Sequence, residues 1–188
     1  SAMGAVIQYL DITQKGQLPL LRPPQMETVA GSVQIDAATR RNLELTHALS
    51  GGRAGSLLSV VDRTLTAGGA RLLEQRLSSP SRDHQTIQPR LEAVAYLHEQ
   101  SAVRDDLRDL LRRIPDLDRA LSRLALDRGG PRDLAAIRNA LTVAETLQHR
   151  LAGTDTPELI DQNLRDLTGH TDLIEKLDAA LIAEPPLL

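Results

Sequence analysis

Leucine recurs at every third or fourth residue along most of this chain, and almost nothing aromatic interrupts it. There are 34 leucines in 188 residues, no Phe, no Trp, and two tyrosines, Tyr9 and Tyr96. Spacings of three and four put apolar side chains on one face of an α-helix, so the chain must bury leucine stripes against one another. Pleated sheets fill their faces with aromatic and β-branched side chains, and this composition nearly excludes a β-sandwich or barrel. The expected fold class is all-α, a multi-helix bundle. A chain of this length makes one domain, or one domain with appendages. It hides roughly 70% of its unfolded surface on folding.

The same composition excludes several kinds of chemistry. With no Cys there are no disulfides, thiolate nucleophiles or zinc–thiolate sites. A net charge of −3 with 25% charged residues argues against a stand-alone basic nucleic-acid module. No apolar run approaches the roughly 20 residues that span a bilayer. Ser1-Ala2-Met3 reads as a cloning remnant ahead of a start methionine. Glu184 to Leu188 stops on apolar residues after a diproline, which reads as a cut within a longer protein.

Local signals divide the chain. Residues 4–12 carry Val6, Ile7 and Leu10 at helical spacing, and residues 13–25 read as a linker rich in proline. Val29, Gly31, Val33 and Ile35 alternate with Ala30, Ser32 and Gln34, a short β-strand that needs a partner, either Met26–Thr28 as a ribbon or something outside the chain. Asp36 is expected to cap a helix through Leu43, Leu45 and Leu49, ended by the run Gly51 to Ser56. Short and medium helices follow: Leu57–Val61, then one capped by Thr66 that stops near Pro80. Asp83 caps another with Ile87, Leu91, Val94 and Leu97 on its buried face. Next come Leu107 to Ile114 and a helix capped by Asp116. The clearest helix starts at Pro131 behind Gly130 and carries Leu134, Ile137, Leu141, Ala144, Leu147 and Leu151. Thr156-Pro157-Glu158 signals another start, and Leu173, Ile174, Leu177 and Leu181 mark the last helix.

No catalytic constellation emerges. His47, His84, His98, His149 and His170 fall on separate elements and read as solvated. His98-Glu99 begins a zinc-protease pattern, but Ala102 occupies the second histidine position. Gly51 to Ser56 has its glycines too closely spaced for a phosphate loop and contains no lysine. Arg104, Arg108 and Arg112 form one stripe and Arg119 and Arg123 another. Asp105, Asp106, Asp109, Asp116 and Asp118 are interleaved with them, so both read as ion-paired faces rather than phosphate sites.

Three stretches, in order, resemble the MutS family of bacterial DNA mismatch-repair proteins. Ile35-Asp36-Ala37-Ala38-Thr39-Arg40-Arg41-Asn42-Leu43-Glu44-Leu45 is similar to the signature that opens that family's core, or lever, domain. Leu57 to Thr66 with Gly69-Ala70-Arg71-Leu72-Leu73 resembles its second signature, and Pro80, Arg82 and Asp83 also fit. Asp116 to Leu126 followed by Pro131-Arg132-Asp133-Leu134 resembles a third. Gly68, where the family often has methionine, and Arg76, where an aromatic is common, depart from the pattern.

The resemblance implies residues 1–25 as tag remnant, end of connector and linker, and 26–188 as the first part of the lever domain, with the clamp expected to follow. The fold implied is a multi-helix bundle of the lever type, with a short β-strand or ribbon near the N-terminus. The role implied is structural: transmission of conformational change between a DNA clamp and an ATPase, with no catalytic, cofactor-binding or metal residue in this stretch. ATP and Mg²⁺ would belong to the parent protein. Implied partners are the rest of its own chain and, through the full-length protein, mismatched duplex DNA and a second MutS subunit. The implied location is cytoplasmic. Whether Arg40, Arg41 or Arg63 touches DNA stays open. Some apolar helix faces should lack cover and could pair between copies. A self-contained helical interaction or dimerisation module is the alternative reading. A helical metal-dependent hydrolase is a second, and it would need clustered acids and histidines.

Overall fold

The structure is a computed structural model that describes residues 2–13 and 31–185. Ten helices follow one another among these residues. They are α1 (Ala2–Thr13), α2 (Ala37–Asn42), α3 (Leu57–Val61), α4 (Ala67–Ser78), α5 (His84–Glu99), α6 (Ser101–Leu111), α7 (Leu117–Ala125), α8 (Pro131–Leu151), α9 (Glu158–Asp166) and α10 (Thr171–Ala180). The all-α expectation therefore holds.

The longest helix, α8, is the spine. It starts where its backbone is least demanding: Pro131 needs no N–H partner in the first turn, and the Asp133 carboxylate accepts from the Gly130 N–H at 2.9 Å. Its inward face buries Ala135, Ile137, Ala140, Ala144, Leu147 and Leu151. Helices α7 and α10 pack on it most extensively, and α6 and α9 also lie along it. The central cluster joins Ala120 of α7, Ile137 of α8 and Leu177 of α10, with Leu117, Leu124, Leu134, Leu141 and Leu181 around them. Helix α5 packs on α6 and α9.

The N-cap expectations hold at four positions. Asp36, Thr66, Asp83 and Asp116 each accept a backbone N–H of their own first turn. Each oxygen satisfies a donor that the helix leaves orphaned. Ser56 caps α3 in the same way, through Ser59 N at 3.2 Å.

Four expectations are corrected. First, among the described residues the expected strand leaves one antiparallel bridge, Ser32 to Ser81, while its first two residues, Val29 and Ala30, lie outside the described residues. Val33 N donates to Pro80 O at 2.8 Å and Arg82 N to Gly31 O at 3.0 Å. The partner is thus the turn before α5, and Met26–Thr28 lies outside the described residues, as does most of the linker. Second, α2 ends at Asn42 rather than running through Leu49. Glu44 takes the left-handed conformation (φ 48°), and Leu45 N and Glu44 N reach back to Arg40 O and Arg41 O. That is a Schellman stop with an acidic residue where glycine is usual. Third, Pro157, not Thr156, stands at the start of α9, and the Thr156 hydroxyl instead hydrogen-bonds Asp161. Fourth, α5 turns Leu91 (57% exposed) and Val94 (65%) to solvent. Ile87 and Leu97 of the expected face are partly covered, together with Thr86, Pro89, Arg90, Ala93 and Tyr96.

Exposed Leu91, Val94, Leu57, Val60 and Val61 match the expectation of apolar faces without cover. Gly68 has open space where a Cβ would sit, so a larger residue there meets no clash. Between α7 and α8 there is no such freedom. A Cβ on Gly129 would stand 2.4 Å from Leu124 Cδ2 and 2.9 Å from Leu124 Cα.

Leu58 is 1% exposed, the largest fully buried side chain among the described residues. Its truncation leaves a cavity under α3. Leu58→Ala should destabilise by about 2–5 kcal/mol, whereas exposed Val60→Ala should stay within about 0.5 kcal/mol. Urea-unfolding midpoints of the two variants check this.

Candidate functional site

The side chains that organise this molecule are arginines, and they work by bridging elements far apart in sequence. Arg71 on α4 donates to both Asp116 oxygens, Nη1 to Oδ2 at 3.1 Å and Nη2 to Oδ1 at 2.8 Å, and also to Asp118 Oδ2 at 2.8 Å. The fork geometry of guanidinium suits two carboxylates at once. Asp116 also caps α7, so one residue fixes both the helix start and its tie to α4. Arg108 donates to Arg63 O at 3.1 Å and joins α6 to the chain after α3. Arg123 Nε donates to both Asp133 oxygens at 3.1 Å, and its Nη2 to Arg128 O at 2.7 Å. Arg150 pairs with Asp106 across α8 and α6.

Hydrogen bonds to these carboxylates favour the charged form and hold their pKa values down. Asp116 lies below the usual carboxylate range chiefly through Arg71. Asp133 does so through the Gly130 N–H and then Arg123. Asp36, Asp62 and Asp83 are also lowered, each by nearby threonine and backbone donors. Arg76 is also lowered, by partial burial and then by neighbouring Arg90, which for a guanidinium disfavours the charged form.

The candidates raised by the sequence do not converge. His47, His84, His98 and His149 are exposed and His170 is partly covered; contrary to the sequence reading, His84 and His98 share one helix, at opposite ends of α5. Among the described residues no group of three His, Cys, Asp or Glu could hold a metal ion. Arg104 donates to Leu97 O and His98 O, both at 3.1 Å, and Arg112 pairs with Asp109. The stripe therefore holds helix ends and neighbours rather than presenting a continuous basic rail. Arg40 turns inward, donating to Ile35 O at 3.3 Å; its Nε is buried without a partner. Arg41 is exposed, and Arg63 donates to Asp62 O at 2.9 Å.

The glycine run does not fit a nucleotide. Gly51, Gly52 and Gly55 all have positive φ, the conformations of a tight turn. Ser56 is fully buried and its hydroxyl donates to Arg53 O at 2.7 Å, so it is spent as a cap rather than offered to Mg²⁺. Arg53, the run's one cation, is paired with Glu74.

Sequence reasoning missed Arg138. It is 8% exposed on α8, within a groove of about 620 Å³ that also meets Arg113, Thr142 and Asp178. The signal was present: Leu134, Arg138 and Leu141 keep the four-three spacing of the apolar face.

What the fold defines is an all-α helical domain, built round one spine and tied by arginines. The comparisons name the family of such domains. The chain matches the MutS domain III family model over residues 38–188. It is 63% identical to a protein of Roseobacter denitrificans, 64% to one of Cereibacter sphaeroides and 66% to one of a Ruegeria species, each named DNA mismatch repair protein MutS. Each alignment covers all of this chain and 21% of the relative. The chain belongs to the MutS domain III family, and spans about a fifth of the relatives' length. Among the described residues no helix is long and apolar enough to cross a membrane.

A depressed carboxylate pKa supports folding above the unfolded value near 3.8. That support is lost as pH falls through the lower folded value. Stability should therefore be level from about pH 7 to 5 and drop below about pH 4. Asp116→Asn should lower the neutral-pH urea midpoint, and the gap to the parent chain should close in acid as Asp116 itself is protonated. A gap independent of pH contradicts the assignment.

Proposed function

We propose that this chain is the structural lever segment of a MutS-like mismatch-recognition ATPase. It carries conformational change between a DNA clamp and an ATPase and performs no catalysis itself. Family membership supports the mismatch-repair setting. The observation that carries the mechanical reading is the spine: α8 runs 21 residues, roughly 31 Å at 1.5 Å per residue, with four other helices packed along it.

A rod of this kind transmits motion because its own hydrogen bonds resist bending and its neighbours interdigitate. Close-packed interiors pass strain on rather than absorb it. The arginine clasps extend the unit: Arg71 ties α4 to α7, and α7 lies on α8. Coupling still requires two global arrangements, each favoured by contacts at a different end. In this reading those contacts lie in the clamp and the ATPase, and duplex DNA, a second subunit and ATP with Mg²⁺ act through the full-length protein. The cap role of Ser56 and the pairing of Arg53 support the absence of nucleotide chemistry here.

Two measurements test this. The chain has no cysteine, so in a cysteine-free full-length parent a label pair at Glu92→Cys and Ser122→Cys reports the segment alone. Its internal distance should stay constant between nucleotide-free and ATP-bound states, while the distance from Ser122→Cys to a label in the clamp changes. A segment that deforms internally while its ends keep their places overturns the reading. The 188-residue chain, incubated with ATP and Mg²⁺, should release phosphate no faster than a protein-free control; magnesium-dependent turnover contradicts it.

A further inference from the structure

Among the described residues Arg138 is the one charged side chain that is buried. A guanidinium taken out of water must be fully hydrogen-bonded to be tolerated. Its partners are unusual, being mostly main-chain carbonyls rather than a carboxylate. Nη2 donates to Ala183 O at 3.1 Å and Nη1 reaches Ile182 O at 3.5 Å. Nε donates to Asn139 Oδ1 at 3.2 Å and stands 3.4 Å from Asp178 Oδ1. Arg132, six residues earlier on α8, donates through Nε to Pro185 O at 3.0 Å.

All three carbonyls belong to one strap. Helix α10 ends at Ala180, and Leu181 (φ −119°, ψ 140°) opens the chain into extended backbone. Leu181 still packs on the central cluster, but beyond it the strap is bordered by open space. One groove of about 620 Å³ and another of about 390 Å³ share Arg113, Asn139 and Ala183. Ile182, Ala183 and Glu184 are exposed, and Pro185 is buried. The strap therefore has little apolar anchorage between its ends, and the two arginines supply its polar ties to the spine.

We propose that Arg138, seconded by Arg132, is a positioning latch that fixes the direction in which the chain leaves α10. Opening it frees residues 182–185 while α7, α8 and α10 stay packed. Asp178 supplies a nearby opposite charge from the last turns of α10, so the guanidinium stays neutralised when the carbonyls depart. That the latch conducts motion rests on the lever reading; that it holds the strap does not.

The test uses the 188-residue chain with a single nitroxide label at Glu184→Cys. The label should be immobilised. Arg138→Gln should shorten its rotational correlation time at least twofold, and Arg138→Lys, which can still reach one carbonyl, should fall between. A second label at Asp172→Cys, in the first turn of α10, should not respond. Unchanged mobility at 184 overturns the latch, and so does equal loosening at 172, which would make Arg138 a general core support. Should Arg138→Gln fail to fold, exposed Arg132→Gln decides alone: higher mobility at 184 with an unchanged melting temperature supports the latch, and no change in mobility overturns it. Failure of the lever reading would appear instead in the label distances of the full-length parent, with these outcomes unaffected.

Discussion

The packing of α7 and α10 around Ile137 of α8 is the contact on which the rest of the architecture depends. The buried face of the spine alternates small and large side chains, Ala135, Ala140 and Ala144 with Ile137, Leu147 and Leu151. Without Phe or Trp, the core gains its dispersion from many small contacts rather than a few large rings. Gly129 takes this to its limit, because no side chain at all fits against Leu124 at the α7–α8 corner.

The stretch from residue 31 to α4 is organised differently. Among its described residues Leu45 and Leu58 are the buried apolar side chains. Backbone bonds join Leu57 N to Glu44 O and Leu58 N to Leu45 O, each at 2.9 Å. The bridge at Ser32 and the clasps from Arg71 and Arg108 complete its attachment. Directional polar bonds hold angles where a thin apolar layer would allow sliding, and this suits a region with so little burial. Individually such exposed pairs stabilise by at most about 1 kcal/mol, so geometry rather than stability is their main contribution.

What could be read in advance was whatever is decided within a few residues. The caps at Asp36, Thr66, Asp83 and Asp116 and the Gly130-Pro131 start depend on neighbours one to three positions away, and they were legible. The stop at Glu44 was not, because the left-handed residue is acidic rather than glycine. The α7 stop at Asp127 (φ 52°) repeats the device. Arg71 and Asp116 are 45 residues apart, and no local pattern couples them; the aspartates of α7 looked like partners for the arginines of their own helix. The covered face of α5 was read only in part, right at Ile87 and Leu97 and wrong at Leu91 and Val94, because the packing of α6 and α9 that orients the helix leaves no local mark in its spacing. The ordered signatures identified the family where geometry alone would have stopped at a helical bundle, and the absence of any site residue from the expectation left Arg138 unsought.

The strap's attachment has a consequence for how this part of the molecule can change over time. Arg138 and Arg132 grasp peptide oxygens, which every residue type possesses, proline included. Positions 182 to 184 can therefore exchange side chains freely, and selection has no chemical identity to preserve there beyond a compatible backbone path. Pro185, with its ring-restricted torsion, already narrows that path. Drift along the strap should leave the grip intact, whereas a single replacement of the arginine on the spine would be felt by every variant of the strap alike.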